Sequence, residues 1–188
     1  MSEYLYEARE ELKRLEHTIY VTLKYTRTVD VIRTTIKRLI SIFDVVINAF
    51  LDDYAFTIQA LIGLYEVTFE KEFIEHAEQF TEYAISHFYS ETENMFYYTS
   101  DSDPELIARK MEIPDNVIPS SNSAMANVLY KLGLLLERND YTEKALKMLE
   151  QVKQQVEKGS AYYANWGRLY LWQLNQSFEV VIMGENTT

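Results

Sequence analysis

A chain of 188 residues that is 47% hydrophobic has enough apolar material for one sizeable core, and its net charge of −11 would repel phosphate backbones and anionic lipid. Nucleic-acid and membrane partners are therefore not expected, and the absence of cysteine excludes disulfides, thiolate catalysis and cysteine-based zinc sites. Met1 to Glu7 has neither the basic nor the apolar part of a signal peptide, and no run approaches the ~20 apolar residues of a membrane span, so a cytoplasmic location is expected.

The chain reads as a single all-α domain over 1–188. Residues 3–26 place Leu5, Ala8, Leu12, Leu15, Ile19 and Leu23 on one helical face. A second pattern, Ile32, Ile36, Leu39, Phe43, Val46 and Phe50, opposes Arg33, Lys37 and Arg38. Its β-branched content leaves strand as the alternative there. From Asp52 the pattern is firmer. Asp52 and Asp53 can cap a helix over 53–67 carrying Tyr54, Ile58, Leu61, Ile62 and Leu64. A turn near Val67 to Glu70 leads to an outer helix over 71–88, in which Glu72, Glu75, Glu78 and Glu82 oppose Phe73, Ala77, Phe80 and Ala84. Residues 90–99 could form a short extended piece, and 100–104 a turn.

The helix pair then repeats. A shift of 68 residues carries Leu61 to Leu129, Leu64 to Leu132, Phe73 to Tyr141, Ala77 to Ala145, Phe80 to Met148 and Ala84 to Val152. Residues 121–137 and 140–158 thus form a second inner and outer pair, closed by Gly159. A third inner helix over 160–174 is rich in aromatics, and Phe178 to Met183 predicts a short C-terminal strand. Repeated hairpins of this kind stack into solenoids or close into toroids.

Between the two pairs lies Glu112 to Ala124, which gathers Asp115, Asn116, Ser120, Ser121, Asn122 and Ser123 at the mouth of a helix. Such a mouth is a place to hold a ligand. The plainer alternative is a serine N-cap with prolines stiffening a connection.

Six stretches, in order, carry a family likeness: Phe50-Leu-Asp-Asp-Tyr-Ala-Phe56, Leu64-Tyr-Glu-Val-Thr-Phe69, Phe96-Tyr-Tyr-Thr-Ser-Asp101, Ile107-Ala-Arg-Lys-Met-Glu112, Asp115-Asn-Val-Ile-Pro-Ser-Ser-Asn-Ser123 and Glu179-Val-Val-Ile-Met-Gly184. Over about 49–186 the chain resembles the C-terminal half of the thioredoxin-domain-containing proteins related to spermatogenesis-associated protein. The resemblance implies a six-hairpin (α/α)6 toroid, similar to N-acylglucosamine 2-epimerases and six-hairpin glycosidases. The match is incomplete. Residues 13–48 do not match, which makes 1–48 a divergent N-terminal helical pair. The thioredoxin-like domain is missing, and the chain has room for about half of twelve helices, so a truncated, incomplete barrel over 49–186 is expected.

That geometry implies catalytic carboxylates at Asp53 and Asp115, with Tyr54, Arg109, Ser121, Asn122, Tyr163 and Trp166 binding substrate, no metal and no cofactor. Two carboxylates across a pocket suit acid and base work on a sugar. The structural alternatives stand beside these roles: Asp52 and Asp53 as helix caps, Arg109 as a loop anchor paired with Asp115 or Glu112, and Tyr163 and Trp166 as core. Glu72 and His76 have ligand spacing but no third ligand. The expected function is a carbohydrate-binding or inactive partial barrel, with the helices of 3–48 covering part of its open edge and a homodimer covering the rest. The alternative is a helical-hairpin protein interaction module. The connection of about thirty residues over 89–120 argues against the short uniform turns of such a module.

Overall fold

The computed structural model describes residues 34, 35, 37, 38, 50–103, 108–159 and 161–175. The helix expected over 3–26, most of the one over 32–50, and the strand at 178–183 lie outside the described residues.

Helix α1 (Leu51–Thr68) begins at Phe50, and Asp53 reaches back from the third helical position to accept the Phe50 N–H at 2.9 Å. Asp52 and Asp53 therefore support the helix from inside its first turn, where negative charge also suits the dipole. The helix stops where Phe69 turns left-handed, with φ 57° and its N–H bonded to Tyr65 O at 2.8 Å. Helix α2 (Lys71–Phe88) folds back against α1, burying Phe73, Ala77, Phe80, Ala84 and Phe88 while its glutamates face outward. Two short strands follow, β1 (Tyr89–Ser90) and β2 (Met95–Phe96), antiparallel with Tyr89 opposite Phe96.

The second hairpin repeats the first. Helix α3 (Ser121–Leu135) pairs with α4 (Asn139–Glu157), and all twelve positions related by the 68-residue shift are buried. Gly133 lies in the last turn of α3, against the start of α4. A Cβ there would come within 2.7 Å of Thr142 Cγ2 and 2.9 Å of the Arg138 carbonyl oxygen, so a side chain would push the hairpin apart. Gly159, at φ 69°, closes α4 in the left-handed conformation that glycine adopts without penalty. A 3-10 turn (Ala161–Tyr163) leads into α5 (Ala164–Leu174).

Helix α3 lies between α1 and α5 and touches both, while α2 and α4 pack behind as the second halves of their hairpins. Composition explains the division. The middle helix α3 has eleven buried residues of fifteen and must be enclosed, whereas α4 buries only Tyr141, Ala145, Met148, Leu149 and Val152 along one stripe. Arg138 ties the two hairpins together, donating to Glu78 and Glu82 of α2 and to Asp140 of α4 while lying over the Tyr141 ring. Of the N-terminal region, Lys37 pairs with Glu72 at 2.5 Å and lies over the Phe73 ring, at the start of α2.

Candidate functional site

Because α1, α3 and α5 lie side by side, their N-terminal ends meet. There an open cleft of about 620 Å3 is lined by Asp52 from α1, Ser120 and Ser121 from the start of α3, Tyr162 before α5, and the loop from Lys110 to Pro119. Three carboxylates, from Asp52, Glu112 and Asp115, border it, and Lys110 answers Glu112 at 2.9 Å.

The loop is held by polar groups that the fold consumes. Asp115, 6% exposed, accepts from the Ser120 N–H at 3.0 Å, the Ser123 hydroxyl at 2.5 Å and the Asn165 N–H at 2.8 Å. Its carboxylate thereby joins the loop, α3 and α5. Asn122, fully buried, acts as a surrogate strand. Its Oδ1 accepts from Phe96 N–H at 2.7 Å, and its Nδ2 donates to Phe96 O at 2.9 Å and Glu112 O at 3.0 Å. Ser120 is the N-cap, accepting from Ser123 N–H at 3.2 Å while its hydroxyl donates to Ile113 O. The buried Trp166 donates its indole N–H to the same Ile113 carbonyl at 2.8 Å.

Ser121 differs from its neighbours. It is 1% exposed, lines the cleft, and its hydroxyl has no hydrogen-bond partner. A buried hydroxyl left unpaired costs about 1 to 3 kcal/mol.

The remaining expected site residues are placed elsewhere. Asp53 is exposed and bound to Phe50, and it does not line the cleft; Asp52 does. Crowding by the surrounding chain outweighs the Phe50 N–H bond and, with the charge of Asp52, raises the Asp53 pKa. Tyr54 is buried in the α1–α2 seam, stacked on Tyr83 at 5.3 Å. Arg109 is a loop anchor, but its partners are the carbonyls of Thr99 and His87 and the Tyr97 ring, not Asp115 or Glu112. Tyr163 packs against the core beside the cleft-lining Tyr162. Tyr98 is a residue that motif reading did not single out. Its ring stacks on Phe50 at 4.9 Å and its hydroxyl donates to Asp52 at 3.4 Å. Burial, then the Asp52 charge, pushes its pKa up to about 12, so it remains a donor that steadies Asp52.

Among the described residues no cluster of three or more His, Asp or Glu side chains could hold a metal, and no helix is long and apolar enough to cross a membrane. His76 Nδ1 lies 2.6 Å from the Glu72 backbone oxygen, and the Glu72 carboxylate is engaged by Lys37.

No family model matches the chain. It is similar to the uncharacterized protein B0495.5 of Caenorhabditis elegans, 33% identical over 99 residues that make up 53% of this chain and 13% of that protein. It is distantly similar to spermatogenesis-associated protein 20 of Rattus norvegicus, 25% identical over 138 residues, 72% of this chain and 17% of that one. The match therefore spans less than a fifth of either relative.

Proposed function

We propose that the chain is a partial six-hairpin-type toroid, related to spermatogenesis-associated protein 20, and that the cleft at the N-terminal ends of α1, α3 and α5 binds a carbohydrate without turning it over in isolation. The distant sequence similarity and the buried 68-residue repeat support the ancestry. The unpartnered Ser121 hydroxyl carries the binding reading, because Ser121 borders a cleft lined by carboxylates, which sets an unsatisfied hydroxyl beside strong acceptors. A polyhydroxylated ligand supplies both complements, accepting from Ser121 and donating to Asp52 and Glu112. Turnover by Asp53 and Asp115 is not part of the proposal: Asp53 is outside the cleft, and Asp115 is already held by three donors.

Saturation-transfer NMR with N-acetylglucosamine and methyl glycosides tests this. Transfer to the sugar should appear with the wild-type chain and weaken in Ser121→Ala, whose melting temperature should hold or rise because an unpaired buried hydroxyl is removed. Absence of transfer from every sugar would sink the reading.

A second reading, a helical interaction module, draws on the other end of the layer. Val67, Phe69, Leu134, Leu135, Leu171 and Leu174 are exposed there, at the C-terminal ends of the same three helices. A second copy of this chain could bury them on both sides of a two-fold. Light scattering that shows a strict monomer across micromolar concentrations would remove it.

A further inference from the structure

Six residues beyond Ser121 along α3, roughly 9 Å up the helix, a separate small groove of about 110 Å3 opens between α1, α3 and α5. Gln59, Asn127, Lys131, Arg168 and Trp172 line it. Arg168 is held there from two directions. Its Nε donates to Asn127 Oδ1 at 3.0 Å, and Asn127 is itself fixed, 3% exposed with its Nδ2 donating to Ser123 O at 2.8 Å and Asn165 O at 2.9 Å. The guanidinium also lies over the Trp172 ring, 5.3 Å from its centre, and Trp172 stacks on Tyr130.

The terminal amino groups of Arg168 have no protein acceptor among the described residues. The contrast with the other described arginines of this region is informative: Arg138 reaches three carboxylates and Arg109 two carbonyls. A guanidinium pinned at Nε, with its outer edge free, presents two parallel N–H donors in the geometry of a carboxylate or phosphate. Lys131 shares the groove. Its ammonium is bonded to Glu66 at 2.7 Å, which leaves further donors of its three for a ligand.

We propose that this groove is an oxyanion receptor in which Arg168 grips the carboxylate or phosphate group of a small ligand by both terminal nitrogens, with Lys131 as second donor and Trp172 as wall. The volume admits the oxyanion head and leaves the rest of the ligand outside. The assignment is independent of the carbohydrate reading of the Ser121 cleft, and the two fail separately.

The test is an NMR titration of the 15N-labelled full chain with inorganic phosphate, D-glucuronate and neutral D-glucose, following the Trp172 indole and Arg168 Nε signals. Saturable shifts of both signals at about 1 to 10 mM are expected with one or both anions, and none with glucose. Response to phosphate alone assigns a phosphate ligand, and response to glucuronate alone a carboxylate. Arg168→Met should abolish the response. Arg168→Lys, which keeps the charge but loses the fork, should weaken it at least about tenfold, while Ser121→Ala should leave it intact. Should Arg168→Met fail to fold, Lys131→Met carries the test, with a several-fold weaker response expected. Failure of both anions to saturate below about 50 mM, or unchanged affinity in a folded Arg168→Met chain, would overturn the site. Equal affinity in Arg168→Lys would overturn the two-pronged geometry.

Discussion

Replacing Asn122 by Ala should cost the fold about 3 kcal/mol, and the reason lies in what the amide pairs with. Its Oδ1 and Nδ2 satisfy both the N–H and the C=O of Phe96, at 2.7 and 2.9 Å, in a place where Asn122 and Phe96 are both fully buried. Truncation leaves those two backbone groups without water, at about 1 to 3 kcal/mol each. The Glu112 carbonyl loses a partner as well but keeps a long contact of 3.4 Å from the Asn122 N–H. For a chain of this size, about 3 kcal/mol corresponds to a fall of roughly 6 to 12 °C in melting temperature. Urea unfolding followed by far-ultraviolet circular dichroism measures it, with the m value expected to hold. Asn122→Asp gives the complementary result. At neutral pH a carboxylate would face the Phe96 and Glu112 carbonyls and destabilise more than Ala, and stability should partly return as acid protonates it and restores a donor. A loss below about 0.5 kcal/mol in Asn122→Ala would mean that the amide is not committed to Phe96 and is free for a ligand, which would refute the structural role.

Ser120→Ala should cost about 1 kcal/mol, because the N-cap bond to Ser123 N–H is lost, while Ser121→Ala costs nothing measurable; paired thermal melts decide, and equal losses would contradict the assignment. Arg138→Ala should destabilise by about 1 kcal/mol and less at high salt, since its partners are partly exposed and the Tyr141 contact is the share that salt does not screen; a salt-independent loss would point to packing alone. Carboxyl NMR titration should find Asp101 and Asp140 below the usual aspartate range, through hydrogen bonds from His87 and Arg138 respectively, and Asp53 above it through desolvation. The signs then differ: Asp101 and Asp140 stabilise above their unfolded value near ~3.9 and lose this as pH falls through their depressed values, whereas the contribution of Asp53 is present below that value and lost as pH rises through its raised one. Asp53 titrating below Asp101 would reverse the reading.

The helices were legible because each carries a long periodic signal. The outer helix expected at 71–88 is found at Lys71–Phe88, and the one expected at 140–158 at Asn139–Glu157. The repeat was legible for the same reason, since equivalent positions in two hairpins bury equivalent faces. The β1–β2 pair was only partly visible as an extended stretch, because two-residue strands are too short to show alternation. Site geometry was harder to read. Consecutive residues on a helix point about 100° apart, so Asp52, Asp53 and Tyr54 head toward the cleft, the solvent and the α1–α2 seam respectively. Sequence gives their order but not the rotation of α1 about its axis. The partners of Arg109 were hidden too, since a backbone carbonyl has no letter in the sequence.

The same rotation argument separates the polar residues that hold the loop from the one available to a ligand. With Ser120 as N-cap, Ser123 stands at the third helical position, where its N–H meets the Ser120 hydroxyl and its own hydroxyl turns back to Asp115. Asn122, at the second position, is directed into the seam with Phe96. Ser121, at the first position, has no capping geometry to satisfy and no neighbour to reach, so its hydroxyl is left unpaired in a residue that borders the cleft. A row of four polar residues at a helix mouth therefore divides by position. The cap, second and third positions serve the fold, and the first is where a bound hydroxyl could be recognised without weakening the structure that presents it.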